Sequence, residues 1–224
     1  METNSLGKKL MSPKAIVFGN SVAPYHPLGR VIAPMLETFE PAFDVQVVDG
    51  LSRQAQLNGS LSLIVGYEDV WKDPISDELA DRLCRFVEEG GGLLLVHNGI
   101  CWANHARIRS MVGACFDGHP EQEAMEYASD RAAIDTVELD VGPFTLFEEP
   151  YRYRFESDFQ GTVFMTYKYE GRFWPAGWTR VFGKGRIACL QPGHRPKIFE
   201  NPSYREVLRA SAFWCAGIQR QPAK

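Results

Sequence analysis

The sequence predicts a doubly wound α/β domain with a mainly parallel sheet and an antiparallel β extension. Two observations lead to this fold class. Short segments that are apolar throughout alternate with helical segments in the first half of the chain, and alternating or aromatic-rich segments fill the second half. Strands that are apolar on both faces and separated by helices are typical of a covered parallel sheet, whereas the alternating segments favour antiparallel strands.

The first half predicts four buried strands and two helices. The first helix begins near Pro27 or Gly29 and ends before Pro41, although a proline also lies inside it. The second is amphipathic, is capped by Ser76 and stops at Gly90. The predicted strands are apolar and cover residues 14–19, 44–50, 61–67 and 93–96.

The second half predicts antiparallel strands and a closing helix. The Gly183-Lys184-Gly185 segment is typical of a hairpin turn, and the last strand is apolar enough to return to the core. The closing helix covers residues 201–218, with Asn201 as its cap and Pro202 in its first turn. The strand segments cover residues 133–140, 162–171 and 177–193.

Composition limits the class of protein. The chain has 224 residues, of which 45% are hydrophobic, and we expect one domain over residues 12–218 with flexible ends at 1–11 and 219–224. Its 24 basic and 28 acidic residues are spread along the chain, which disfavours a nucleic-acid partner. No segment approaches the ~20 apolar residues that span a membrane. Five cysteines without a CxxC motif indicate reduced thiols, so we expect a cytoplasmic protein.

The segment GGLLLVHNGICWANH, residues 91–105, ends a buried strand and has two interpretations. In one, the strand ends at Val96 and His97 lies at the sharp turn. In the other, the strand runs on and residues 99–103 imitate the G-x-C-x-G elbow around a nucleophilic Cys101. The longer strand would place Asn-Gly inside a buried parallel strand, so we favour His97 at the turn. A histidine there can serve as a general base or a metal ligand.

Five motifs in order resemble a known family. They are GGGLLLVHNG, MVGACFDGHPE, FEEPYRY, GWTRVFGKGR and QPGHRPKIFENPSYREVLRASAFWCAG, within residues 14–217. Together they resemble the ThuA-like (trehalose-utilisation) family, a branch of the class I glutamine amidotransferase-like fold. The resemblance implies a flavodoxin-like arrangement of the sheet. The sequence departs from the family pattern at Glu148, where the family has Asp, and at Asn98-Gly99, which replaces a pair of small residues.

The resemblance also maps candidate site residues, and the predicted sheet agrees with it. His26 and His97 both follow predicted parallel strands, so they open on the same edge of the sheet, and His194 joins them if its strand is parallel. We expect catalytic roles for His97, Glu149 and His194. The expected substrate-binding residues are His26, His119, Tyr151, Trp178 and Arg195. A divalent cation such as zinc or manganese is left open, because no H-x-H or H-x-x-x-H spacing specifies one. Its candidate ligands are His26, His97, His119 and His194.

Two expectations concern the environment of these residues. Glu149 lies between Phe147 and Pro150, where an apolar setting could raise its carboxyl pKa; the alternative is a surface ion pair with Arg152 or Arg154. Aromatic side chains beside a polar pocket are a common platform for a sugar ring, which suggests stacking by Trp178 or Tyr151.

Membership of the trehalose-utilisation family would imply an enzyme of carbohydrate catabolism that acts on a disaccharide or a keto-sugar. A carbonyl on the sugar ring acidifies the neighbouring C–H, so His97 or Glu149 could remove that proton in an isomerisation, elimination or hydrolysis. The alternatives are a non-catalytic sugar-binding or regulatory module, and thiol chemistry through Cys101. Glutamine hydrolysis is not expected without a cysteine at the turn. The expected partner is a small sugar, and a homo-oligomer is left open.

Overall fold

The computed structural model describes residues 12–50, 57, 60–70, 74–129, 139 and 141–218. The predicted flexible ends at 1–11 and 219–224 lie outside the described residues, as does the predicted strand at 133–140 apart from Leu139. The strands that form the two sheets are β1 (Lys14–Gly19), β2 (Asp44–Asp49), β3 (Leu61–Gly66), β4 (Gly92–Val96), β5 (Ala114–Phe116), β6 (Glu123–Ser129), β7 (Phe144–Glu148), β8 (Tyr153–Phe155), β9 (Gly161–Tyr169), β10 (Arg172–Phe182) and β11 (Gly185–Leu190).

Nine of these strands form one mixed sheet in the order β2-β1-β3-β4-β11-β10-β9-β6-β7, while β5 and β8 pair separately. The five strands from β2 to β11 are parallel, and the four that follow are antiparallel. The predicted α/β fold with a parallel core and an antiparallel extension is therefore confirmed. The hairpin turn is also present, because Phe182 pairs with Gly185 across it.

Helices cover both faces of the sheet. Two large cores result, because alternate residues of each parallel strand enter opposite clusters: Ala15 and Val17 lie in one, Ile16 and Phe18 in the other. The first core is closed by α1 (Leu28–Phe39), α4 (Pro196–Glu200) and α5 (Pro202–Cys215). The second is closed by α2 (Asp77–Glu88), the 3-10 helix His97–Asn104 and α3 (Ala106–Val112). No described helix is long and apolar enough to cross a membrane.

The strand directions bring one edge of the sheet together as a site. In the register of the parallel strands, Phe18 pairs with Gly66, Gly66 with Leu95, and Val96 with Leu190, so β1, β3, β4 and β11 end side by side. Each antiparallel pairing reverses direction once, and four reversals separate β11 from β7. The strand β7 therefore runs in the same direction as β11, and its carboxyl end also lies at this edge.

Candidate functional site

The turn after β4 presents His97. The strand ends at Val96, and His97 has a left-handed backbone with φ 51°, so the shorter of the two predicted strands is the observed one. A residue with a β-carbon is strained by about 1–2 kcal/mol in this conformation, and such strain is commonly found at functional sites. The imidazole is wholly buried, and its Nδ1 lies 2.8 Å from the carbonyl oxygen of Gln191. This bond places the proton on Nδ1 and leaves the Nε2 lone pair directed elsewhere.

The next residues form the 3-10 helix. A β-carbon at position 99 would collide with the backbone carbonyl of Gly66, so only glycine lets this helix pack against the end of β3. Cys101 is 2% exposed within the same helix, and burial raises the pKa of its thiol well above the usual range. A buried thiol with a raised pKa is a poor nucleophile.

Three histidines and one carboxylate converge where the strands end. Each of His26, His97, His194 and Glu149 offers one ligand atom, and these four atoms lie within 4.8 Å of one another. His97 Nε2 is 3.4 Å and His26 Nε2 is 3.8 Å from Glu149 Oε2, while His194 Nδ1 is 3.3 Å from Glu149 Oε1. The predicted convergence at one edge is therefore present in the fold.

The cluster is buried and its polar atoms are poorly satisfied. The side chains of His26 and Glu149 are 11% and 8% exposed. Within the described part of the chain, both ring nitrogens of His26, Glu149 Oε2 and His194 Nδ1 have no hydrogen-bond partner of acceptable geometry. Buried polar atoms are normally paired, because an unpaired one loses its hydration without compensation. Three of these atoms, His26 Nε2, Glu149 Oε2 and His194 Nδ1, belong to the cluster, whereas His26 Nδ1 is directed towards Asp69. Unpaired polar atoms gathered at one buried place indicate a site that accepts a ligand.

The pKa of the Glu149 carboxyl is shifted in the direction opposite to the one expected from the sequence. Burial tends to raise the pKa of Glu149, but the adjacent rings of His194, His26 and His97 outweigh it and hold the pKa of this carboxyl well below its usual range. The expected increase was therefore wrong. The surface ion pair was wrong as well, since Arg152 pairs with Glu170 and Arg154 with Asp117.

The imidazole of His26 is also perturbed. Burial lowers the pKa of this group, but the carboxylates of Asp69 and Glu149 together raise it to about 9. Its Nδ1 lies 3.8 Å from Asp69 Oδ2, so the segment after β3 contributes to the site as well. The cluster thus contains both a carboxylate and an imidazole that favours its cationic form.

His119 and Tyr151 lie beside the cluster. His119 is partly exposed, and its Nδ1 bonds the Pro120 carbonyl at 2.7 Å, while its Nε2 lies 3.9 Å from Glu149 Oε2. The ring of Tyr151 stacks on that of His97 at a centroid distance of 4.7 Å, and its hydroxyl lies 3.1 Å from His97 Nε2. Tyr151 is only 2% exposed, so it contacts the site through its hydroxyl rather than through an open ring face.

Trp178 and Arg195, which were also predicted to bind substrate, lie outside the cluster of three histidines and Glu149. Trp178 is completely buried, packs against Tyr153 and Phe155, and donates from Nε1 to the Val112 carbonyl. Its expected role as a platform for a sugar ring was therefore wrong, because both ring faces belong to the core. Arg195 is exposed, and its guanidinium lies over Phe147 and donates to Gln122 Oε1.

Several contributors were missed in the sequence. Gln122 donates from Nε2 to Glu149 Oε1 at 3.3 Å, and Gln191 accepts from Tyr127 through Oε1. The alternation of FTLFE in β7, with Phe144 and Leu146 buried, was an available signal that a strand leads directly to Glu149. No local pattern marks the two glutamines, since their roles depend on distant partners.

Fold and site together define a doubly wound α/β protein with a histidine and carboxylate cluster at the carboxyl ends of its parallel strands. The sequence matches the ThuA family, described as trehalose utilisation, over residues 23–215. The chain belongs to this family, and the predicted resemblance is confirmed. No curated protein matches the sequence.

Solved structures agree with the fold. A protein described as ThuA-like from Parabacteroides merdae ATCC 43184 superposes with a TM-score of 0.77 at 16% identity, covering 95% of this chain and 93% of its own. Another from Bacteroides uniformis ATCC 8492 gives 0.66 at 14% identity, with coverages of 91% and 92%. A β-galactosidase from Bacillus circulans sp. alkalophilus gives 0.62 at 12% identity, covering 93% of this chain and 31% of that enzyme. At these identities the similarity concerns the fold alone.

Proposed function

We propose that this protein is an enzyme of carbohydrate catabolism that uses a divalent metal ion, zinc or manganese, to promote proton transfer on a keto-sugar or disaccharide derivative. The metal ligands are His26, His97, His194 and Glu149. The observation that carries the proposal is the convergence of these four ligand atoms within 4.8 Å, several of them buried and without a hydrogen-bond partner in the described structure.

The spacing and chemistry of the four ligand atoms support this proposal. Metal–ligand bonds of about 2.0–2.2 Å in a tetrahedral site separate the ligand atoms by roughly 3.3–3.6 Å. Glu149 Oε2 lies 3.4 Å from His97 Nε2 and 3.8 Å from His26 Nε2, and the other oxygen of the same carboxylate, Oε1, lies 3.3 Å from His194 Nδ1. Imidazole nitrogen with one carboxylate oxygen suits zinc and manganese. His97 also has the outer bond typical of metal-bound histidine, from Nδ1 to a backbone carbonyl.

The geometry supports the following division of roles. A bound divalent cation would polarise the carbonyl of a keto-sugar and so acidify the adjacent C–H. His97, Glu149 and His194 then act by holding the cation rather than as the bases themselves. His119 is placed to accept the proton, because its Nδ1 faces the Pro120 carbonyl and its Nε2 faces the cluster. Arg195 and Gln122, linked at the exposed side, are placed to contact substrate hydroxyl groups.

The substrate class depends on the family, which is described as trehalose utilisation. The polar side chains at the site of this protein suit a ligand with many hydroxyl groups, such as a sugar. Isomerisation of a keto-sugar and elimination of its glycosidic oxygen both begin with removal of the proton next to the carbonyl. Hydrolysis begins in the same way when it proceeds by that elimination followed by addition of water, so the proposal covers this shared step. The cysteine chemistry of glutamine hydrolysis is not part of it, since His97 holds the turn position and Cys101 is buried within the 3-10 helix that follows.

The proposal is tested with purified protein prepared without chelators. We expect about one equivalent of zinc or manganese by elemental analysis, and deuterium incorporation next to the carbonyl when a keto-disaccharide is incubated with the protein in D₂O. His97→Ala and Glu149→Ala should lose both. His105→Ala is the matched control and should keep both, because His105 bonds Asp77 instead.

Two results would contradict the proposal. If His97→Ala contains as much metal as the wild type, the proposed metal site is refuted. Sugar binding without any deuterium incorporation would instead favour a non-catalytic sugar-binding module.

A further inference from the structure

Glu148, the residue before Glu149, is a carboxylate that is completely buried at the end of β7. It accepts three backbone hydrogen bonds. Its Oε1 accepts from the Glu149 N–H at 2.8 Å, and its Oε2 accepts from the N–H groups of Gly193 and His194 at 2.7 and 2.9 Å. Among the residues that the structure describes, no lysine or arginine pairs with it.

A buried carboxylate without a counter-ion is an unfavourable way to stabilise a core. Removing it from water has a large cost, and an apolar residue of similar volume often stabilises a protein as well or better. The three N–H donors offset that cost only while all of them point at the two oxygens. Glu148 therefore imposes a geometric requirement on the backbone segments that supply those donors.

The donors belong to residues of the site itself. Two of the three N–H groups are those of Glu149 and His194, which are 45 positions apart in the chain and follow different strands, β7 and β11. The third is that of Gly193, where an added β-carbon would lie 2.6 Å from the His97 β-carbon. The segment that Glu148 holds is thus packed directly against the turn that presents His97.

The opposite side of this segment is held by separate bonds. The hydroxyl of Tyr204 donates to the Pro192 carbonyl at 2.5 Å, and that of Tyr67 to the Gly193 carbonyl at 2.8 Å. The carbonyl groups are therefore held by phenols and the N–H groups by Glu148. Removing the acceptor of the N–H groups would let the segment rotate about its remaining bonds, which would move the ring of His194.

We propose that Glu148 is a positioning residue that fixes Glu149 and His194 relative to each other, so that their side chains are preorganised for the metal ion of the proposed function. This inference depends on that proposed function for its catalytic meaning, but its geometric claim can be measured without metal. It assigns Glu148 no contact with metal or substrate.

The test uses Glu148→Gln, which has nearly the same shape. Its amide nitrogen cannot accept a hydrogen bond, so at least one of the three N–H groups loses its partner. We expect zinc affinity, measured by competition with a chelator of known affinity, to fall by about 10–100-fold, as is typical when outer-shell partners of metal ligands are changed. Glu148→Asp keeps the charge and should retain part of that affinity.

Leu83→Ala is the control for a general loss of stability. Leu83 is buried in α2 and is not part of the site, so its truncation should lower the melting temperature without changing zinc affinity more than about twofold. An unchanged affinity in Glu148→Gln, with zinc bound by the wild type, would overturn the positioning role and leave the proposed function intact.

A wild type that binds neither zinc nor manganese would instead overturn the proposed function. Crystal structures of the metal-free proteins then decide the role of Glu148. We expect the 3.3 Å separation between His194 Nδ1 and Glu149 Oε1 to widen in Glu148→Gln, or in Glu148→Asp if the glutamine variant does not fold. An unchanged separation would overturn the inference.

Discussion

Replacing His97 by Ala and by Gly measures the strain at the turn after β4. Both variants lose the imidazole and its bond to Gln191, so these losses cancel in the comparison. Glycine then costs about 0.5–1 kcal/mol in chain entropy and about 0.8 kcal/mol for one buried methyl group. A left-handed backbone with φ 51° costs alanine, but not glycine, about 1–2 kcal/mol. The two variants should therefore have nearly equal free energies of unfolding.

Ala80→Gly is the matched control, because Ala80 is also completely buried but lies in the regular helix α2. There the loss of helix propensity and of one methyl group should together destabilise the protein by about 1.5–2 kcal/mol, with no strain to relieve. Urea denaturation with a chelator present measures all four proteins without a metal contribution. If His97→Gly is less stable than His97→Ala by as much as the control substitution costs, the left-handed turn is refuted.

Four further outcomes follow from the structure. Zinc at 100 times its dissociation constant should raise the free energy of unfolding by about 2.7 kcal/mol, or the melting temperature by about 5–11 °C. The reason is that the four proposed ligands come from distant segments and do not meet in the unfolded chain. A stabilisation by zinc that persists in Glu149→Ala would contradict the site. Tyr151→Phe should bind zinc at least as tightly as the wild type by chelator competition, since it frees the Nε2 lone pair of His97 from a hydrogen bond; weaker binding would count against Nε2 as the ligand. Trp178→Ala should lower the free energy of unfolding by about 3–5 kcal/mol, while the milder Trp178→Phe keeps the wild-type affinity for sugar in calorimetry; a selective loss of sugar binding would restore its role as a platform. A thiol reagent should label none of the five buried cysteines, Cys101 included, until denaturant is added, and labelling of the native protein would show an open route to a thiol.

The parts of the fold that were predictable have local signals. The strands β1, β3 and β4 are continuous apolar segments, and α2 has a cap, an apolar face and a terminal glycine, so each can be recognised within about a dozen residues. The strands β6 and β7 were missed although FTLFE alternates between buried and exposed residues, because neither strand is a continuous apolar segment like those of the parallel core. Pro34 is tolerated within α1, which local rules disfavour.

The candidate site divides in the same way. The positions of His26, His97 and His194 after strands were predictable, since the ends of parallel strands share an edge. The low pKa of Glu149 was not, because no basic side chain lies directly beside it in the sequence and the three rings that lower its pKa come from elsewhere in the chain. Trp178 was misplaced for the related reason that composition does not reveal which face of a strand meets the core.

By itself, the sequence determined the parallel core, the end of β4 at the turn and the set of histidines that follow strands, because each depends on residues that are neighbours in the chain. Only the tertiary structure decided which side chains face one another: that Glu149 lies among three imidazoles, that Glu148 binds the backbone of Gly193 and His194, and that Trp178 is enclosed. Those relations depend on contacts between segments that are far apart in the chain. There the packed sheet, and not local preference, sets hydrogen-bond geometry and burial.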